Sequence, residues 1–153
     1  MFNNSAVLFR YLLIINIIFT RLVNASDKEN QSYFDCPCPH IIAHQGASLE
    51  LPPNTIEAFQ LALDYGADII ELDIWRSMDG VWVVIHDGNL LRIAGVNKDI
   101  TQIPFKEIQS LDAAYNFSDS SGNYLYRDRG YKIPSLEEVF KNFKNEKINI
   151  EIK

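Results

Sequence analysis

Apolar residues recur along this chain with two periods, and the shorter period is interrupted by acids. From Ile69 to Trp75 the run IIELDIW is β-branched and of strand length, yet it carries Glu71 and Asp73 inside it. Side chains of a strand alternate between faces, so Ile70, Leu72 and Ile74 share one face while Glu71 and Asp73 share the other. Val81 to Ile85 is a second short apolar strand, reached through the tight-turn pair Asp79-Gly80, and it ends in His86-Asp87. Earlier, Ile41-Ile42-Ala43 reads as a short strand that runs into His44-Gln45-Gly46, a histidine delivered into a glycine turn. Ile148 to Ile152 repeats the first anomaly. Its isoleucines share one face, and Asn149, Glu151 and Lys153 share the other.

The longer period predicts helices between these strands. Ile56, Phe59, Ala62 and Leu63 recur at helical spacing from Ile56 to Tyr65, with Asn54 or Thr55 as the N-cap and Gly66 as the stop. Pro104 to Leu111 places Phe105, Ile108 and Leu111 on one face. Ser135 caps a further helix, with Glu137 and Glu138 in its first turn and Leu136, Val139, Phe140 and Phe143 expected to face inward. The segment from Gly88 to Ile100 reads as a loop with a short amphipathic piece, and Asp119 to Gly130 as a Ser/Gly/Tyr-rich loop.

Strand, helix, strand is a βαβ unit, and alternating strands and helices imply an α/β fold with a parallel sheet, open or closed. Between Asp73 and His86 there is no room for a crossover helix, which takes about a dozen residues or more. How those two strands pair is left open by the sequence.

Composition adds a class and a compartment. The chain has 153 residues, about one domain, with 47% hydrophobic and 22% charged residues, which is globular rather than disordered. Met1 to Ala25 reads as a secretory signal peptide: Arg10, an apolar stretch from Tyr11 to Phe19, then Val23-Asn24-Ala25 before Ser26. Arg10 and Arg21 bracket too few apolar residues for a membrane span, which needs about 20, so no stable span is expected after cleavage. The mature protein is expected to be exported, periplasmic or secreted. Its leader carries two arginines and no acid, so cleavage makes a chain of net charge −6 more acidic still. An acidic chain without a basic stripe argues against nucleic acid as a partner.

Residues 26–39 are polar, contain Pro37 and Pro39, and read as a linker, which leaves 40–153 as the folded domain. Cys36 and Cys38 lie in that linker as C-P-C. A bridge between them would close a very small ring, and an isolated C-x-C near His40 is a weak metal signal. Incidental thiols or one intermolecular bridge is the simpler reading.

The acids and histidines suggest chemistry. Glu71 and Asp73 side by side on one strand face need a cation or strong donors, because burying an unpaired carboxylate costs several kcal/mol. A hard divalent ion would meet that need, and so, at no cost, would a half-exposed polar face. In parallel α/β folds, residues at the C-terminal ends of different strands converge on one site. His44, Glu71 with Asp73, His86, and Glu151 come from four successive strands. Three carboxylates could hold Ca²⁺ or Mg²⁺ and two imidazoles could serve as general base and general acid, a set suited to phosphoryl transfer. Taken singly, His44 and His86 read equally well as turn residues.

With His44-Gln45-Gly46, Pro53-Asn54-Thr55, Glu71-Leu72-Asp73, His86-Asp87 and Ile150-Glu151-Ile152-Lys153 in view, the chain resembles the glycerophosphodiester phosphodiesterase family. The resemblance runs from Ala43 through Lys153 and includes the segments GADIIELD, DGVWVVIHD and IPSLEEVF. It implies a (β/α)8 barrel of the phospholipase C-like phosphodiesterase type, acting in lipid and glycerol metabolism on glycerophosphodiesters or lysophospholipids. The products would be an alcohol and glycerol 3-phosphate. It further implies His44 and His86 as the acid/base pair, Glu71, Asp73 and Glu151 as ligands of Ca²⁺ or Mg²⁺, and Gln45 and Lys153 near the substrate phosphate. A sphingomyelinase D-like phosphodiesterase shares this plan, and choline-lipid preference would distinguish it.

Three departures from the family pattern stand out. Gln45 replaces the usual Arg after the first histidine, which removes a charge and a bidentate fork and should lower phosphate affinity or rate. Pro53 replaces the usual Glu, removing a polar group near the site mouth. A barrel of this type takes about 250 residues, whereas this chain has 153. The expectation is the N-terminal portion of the domain, about the first four strands. Such a half-barrel would expose two sheet edges and invite self-association, and a catalytically silent remnant is the competing reading.

Overall fold

β2, Ile69–Arg76, is the strand on which the other strands are assembled in the computed structural model, which describes residues 39–153. The proposed signal peptide, most of the linker, and both cysteines lie outside the described residues. β1, Ile42–His44, pairs with β2 in parallel, placing Ile42 opposite Ile69 and His44 opposite Glu71. β4, Lys147–Ile152, also pairs with it in parallel, placing Asp73 opposite Glu151. Both strands pair along Ile69 to Glu71, so they occupy opposite edges of β2.

β3, Trp82–Val84, departs from the parallel sheet. It pairs antiparallel with β2, Ile74 opposite Val84 and Arg76 opposite Trp82. The connection is a tight turn: Ser77 N–H donates to the Val81 carbonyl at 2.9 Å, and Gly80 adopts φ 84, a conformation that favours glycine. The sheet therefore has four strands, three of them parallel, and β3 is a hairpin return rather than the product of a crossover.

Helices form where the pattern placed them. α1, Ile56–Asp64, starts at Thr55, whose Oγ1 accepts from the Ala58 N–H at 3.2 Å, and Gly66 follows its end at φ 90. α2 is the short Leu91–Ala94 and α3 is Phe105–Ser110. α4, Leu136–Asn142, opens on a reciprocal capping box between Ser135 and Glu138. Among the described residues, no helix is long and apolar enough to cross a membrane.

Alternation along the strands builds two cores. Ile70, Leu72 and Ile74 of β2 pack with Val84, Phe59 of α1, and Val139 and Phe143 beside α4. The Phe59 and Phe143 rings meet edge to face at 6.1 Å. Val83 and Ile85 point the other way, into a second core with Leu90, Ile100 and Ile108. Phe140 departs from expectation: it is 47% exposed. Leu136, Val139 and Phe143 make the contacts with this core, and Phe140 lies at the solvent edge of the same stripe, four residues on from Leu136.

Candidate active site

Strand register explains why the acids gather. His44 of β1 stands opposite Glu71 of β2, and Asp73 of β2 stands opposite Glu151 of β4. Opposed residues of adjacent parallel strands present their side chains on the same face, so one histidine and three carboxylates line up across three strands. Ligand oxygens of Glu71, Asp73 and Glu151 lie within 4.8 Å of one another. Glu71 is 7% exposed and Asp73 is fully buried, whereas Glu151 faces solvent. On β2 itself the face opposite the Ile70 core is thus buried, whereas His44 and Glu151 on the neighbouring strands leave it open to solvent.

Each buried carboxylate has assigned partners. Glu71 Oε2 accepts the Gln45 backbone N–H at 3.0 Å, and His44 Nε2 lies 4.0 Å from the same oxygen. Asp73 Oδ2 accepts from Gln45 Nε2 at 2.8 Å and from Asn54 Nδ2 at 3.2 Å. Asp73 Oδ1 is buried and receives no hydrogen bond, but Lys153 Nζ stands 3.2 Å away as an ion pair. Lys153 also pairs with Glu151 Oε1. The Glu151 carboxylate first, and Asp73 second, raise the Lys153 pKa above its ordinary value.

These residues fit a divalent cation. Three carboxylate oxygens at short mutual distance are a hard donor set, and the fully buried Asp73 Oδ1 has a lone pair with no donor aligned on it. The ammonium of Lys153 shows that the cluster attracts positive charge.

His86 reaches the same end of the sheet by the hairpin. Because β3 runs back along β2, the Ile85 N–H donates to the Asp73 carbonyl at 2.9 Å, and His86 follows directly. A parallel strand at this place would have carried His86 away. Its Nδ1 lies 2.7 Å from Asp87 Oδ1, and Arg92 pairs with Asp87 Oδ2. That Arg92 hydrogen bond, with a smaller contribution from His86, holds the Asp87 carboxyl below its ordinary pKa against the opposing effect of burial. An ionised carboxylate only accepts, so Nδ1 is the donor in this contact and Nε2 is left for other partners. The Trp75 indole donates to the His86 carbonyl at 2.9 Å and fixes the segment from the other side.

Gln45, Pro53, Asn54, His86 and Arg92 line one small pocket. Of the expected site residues this pocket holds Gln45 and His86, and the Gln45 bond to Asp73 links it to the acidic cluster that His44 and Lys153 flank. Gln45 spends an amide hydrogen on Asp73, and Lys153 lies on the carboxylates themselves. The sequence pattern gives Arg92 no role, and it carries Asn54 and Asp87 only inside the motifs Pro53-Asn54-Thr55 and His86-Asp87 and Trp75 only as a strand residue. Asn54 is one of two candidate caps in the sequence, and the position of Arg92 five residues beyond Asp87 is the only hint of that pair.

The sequence profile of the Glycerophosphoryl diester phosphodiesterase family matches residues 44–153. The chain belongs to this family. It is 40% identical over 115 residues to a glycerophosphodiester phosphodiesterase of Caldanaerobacter subterraneus, covering 74% of this chain and 44% of that one. It is also 35% identical over 113 residues to a lysophospholipase D of Mus musculus, covering 74% of this chain and 34% of the relative.

Solved structures agree on the fold. A glycerophosphodiester phosphodiesterase from Agrobacterium tumefaciens matches with TM-score 0.66 and 35% identity over 75% of this chain and 47% of its own. A phosphodiesterase from Oleispira antarctica, solved with the product sn-glycerol-3-phosphate, matches with TM-score 0.64 and 30% identity over 75% of this chain and 44% of its own. The chain spans less than half the length of these family members. Its three parallel strands, with the hairpin of β3, are part of the (β/α)8 barrel that the glycerophosphodiester phosphodiesterases share.

Proposed function

We propose that this domain carries the metal-assisted phosphodiesterase site of its family. In this reading it hydrolyses a glycerophosphodiester, or a lysophospholipid of the same headgroup chemistry, to an alcohol and glycerol 3-phosphate. The observation that carries the reading is the strand register that sets Asp73 opposite Glu151 and His44 opposite Glu71. Names of relatives as glycerophosphodiester phosphodiesterase and lysophospholipase D support the substrate class.

Glu71, Asp73 and Glu151 would hold Ca²⁺ or Mg²⁺, which when bound supplies charge neutralisation at a phosphate oxygen. His44 and His86 act as the acid/base pair: one imidazole takes a proton from the attacking oxygen, and the other protonates the departing alkoxide. Asp87 holds the His86 proton on Nδ1, so that ring works through Nε2. Lys153 supplies positive charge beside the acids and complements the phosphate. Gln45 replaces a charged donor by a neutral one, which points to weaker phosphate binding than an arginine would give. The sequence reading of a leader at Met1 to Ala25 would place the activity outside the cytosol.

The test is release of glycerol 3-phosphate from glycerophosphocholine by the purified chain, with and without Ca²⁺ or Mg²⁺, beside His44→Ala. Turnover that requires the ion and is lost in the variant is expected. Turnover equal in chelator, or undiminished by the substitution, would contradict the mechanism.

A further inference from the structure

Among the described residues, the non-glycine positions in the left-handed region are Gln45 at φ 58, Asn54 at φ 59 and Asp128. Two of these three bond the same carboxylate oxygen. Gln45 Nε2 and Asn54 Nδ2 both donate to Asp73 Oδ2, at 2.8 and 3.2 Å. The two residues also hold each other, since the Asn54 N–H donates to the Gln45 carbonyl at 3.0 Å. Asn54 Oδ1 lies 3.4 Å from the Asp73 N–H as acceptor, so its amide grips Asp73 by side chain and backbone together. All three side chains are buried. Left-handed backbone is unfavourable for residues with a Cβ and is retained where surrounding contacts impose it.

Asp73 is left with its two oxygens in different environments. Oδ2 has two amide donors, whereas Oδ1 is buried and has only the Lys153 ammonium nearby. A carboxylate whose one oxygen is pinned is restrained from rotating, so Oδ1 keeps its place beside Lys153, which also pairs with Glu151. Neutral amides do this without adding a charge that would compete with a cation for Oδ1.

We infer that Asn54 and Gln45 are positioning residues, a pair of neutral amides that orient Asp73 so that Oδ1 is the atom offered to the divalent ion. The inference rests on the proposed metal role of Glu71, Asp73 and Glu151. Groups that orient metal ligands from behind typically contribute about 10- to 100-fold in affinity.

The test is calorimetric titration of the full chain with Ca²⁺ and with Mg²⁺. Asn54→Gly keeps the left-handed backbone and removes the amide. Gln45→Met keeps the side-chain length and removes the donor, leaving the backbone N–H on Glu71. Ser135→Ala, at the α4 cap away from the site, serves as a control for lost stability. The expected result is metal affinity at least about tenfold weaker in each amide variant and unchanged in Ser135→Ala. Wild-type affinity in both amide variants would overturn the inference while leaving the metal site intact, and so would an equal loss in Ser135→Ala. A wild-type chain that binds neither ion would instead overturn the metal reading, and the inference with it.

Discussion

Asp73 and Glu151 are register partners on two parallel strands, and one ammonium, that of Lys153, lies against both. Asp73 is fully buried, and Lys153 is the cation in direct contact with its Oδ1, with Arg92 acting on its charge from further away. Removing the ammonium without supplying another cation leaves a buried carboxylate unpaired. Lys153→Met is therefore expected to lower the thermal midpoint in chelator and to recover when Ca²⁺ or Mg²⁺ is added. A midpoint unaffected by the substitution in chelator would show that the pair contributes nothing.

Gly46 is expected to tolerate no side chain. It has φ 80, and a Cβ there would stand 2.7 Å from the Ala58 carbonyl carbon and 2.9 Å from the Phe59 nitrogen, both backbone atoms of α1. Gly46→Ala should cost roughly 2 kcal/mol or more, since strain and overlap act together. Urea unfolding measures it, and a loss below about 0.5 kcal/mol would mean the turn can move away from the helix.

The acidic limb of stability should depend on Arg92. Its hydrogen bond lowers the folded-state pKa of Asp87 below the ordinary carboxylate value. A depressed folded pKa gives stability that is present above the unfolded pKa and lost as pH falls through the folded one. Arg92→Met is therefore expected to be less stable than wild type at neutral pH, with the difference shrinking as pH drops below the ordinary carboxylate range. A difference that stays constant across that range would assign the effect to packing.

Asp87 also fixes the His86 ring. Asp87→Ala frees Nδ1 and removes the acceptor that sets the tautomer, so turnover on a glycerophosphodiester should fall by about 100-fold, near the lower end of what a positioned acid or base contributes. The check is a steady-state assay across pH. An unchanged rate would mean that His86 is held by its backbone and Trp75 alone.

Much of this was legible in the chain because period-2 alternation is strict. Glu71 and Asp73 interrupt an isoleucine run, and the Ile70 face is buried where α1 and α4 cover it. The Thr55 and Ser135 caps were legible for the same local reason, since each side chain bonds a backbone N–H three residues on. Pairing of β3 was not, because a short turn fixes that two strands are close but does not state which edge of β2 remains free. Asn54 was hidden by its neighbours: between prolines and Thr55 it read as a cap, and its bond to Asp73 spans 19 positions. Phe140 was not legible because it sits at the edge of its helical stripe, where the period alone does not tell buried from exposed.

The central claim is that the carboxylates of β2 and β4 and the two histidines form one phosphodiesterase site. The most direct measurement is ion-dependent release of glycerol 3-phosphate from glycerophosphocholine by wild type, His86→Ala and Glu71→Gln under identical conditions. The account predicts turnover with Ca²⁺ or Mg²⁺ that falls by at least about 100-fold in each variant. Turnover that survives both substitutions, or that is absent from a folded wild-type chain with either ion, would contradict it.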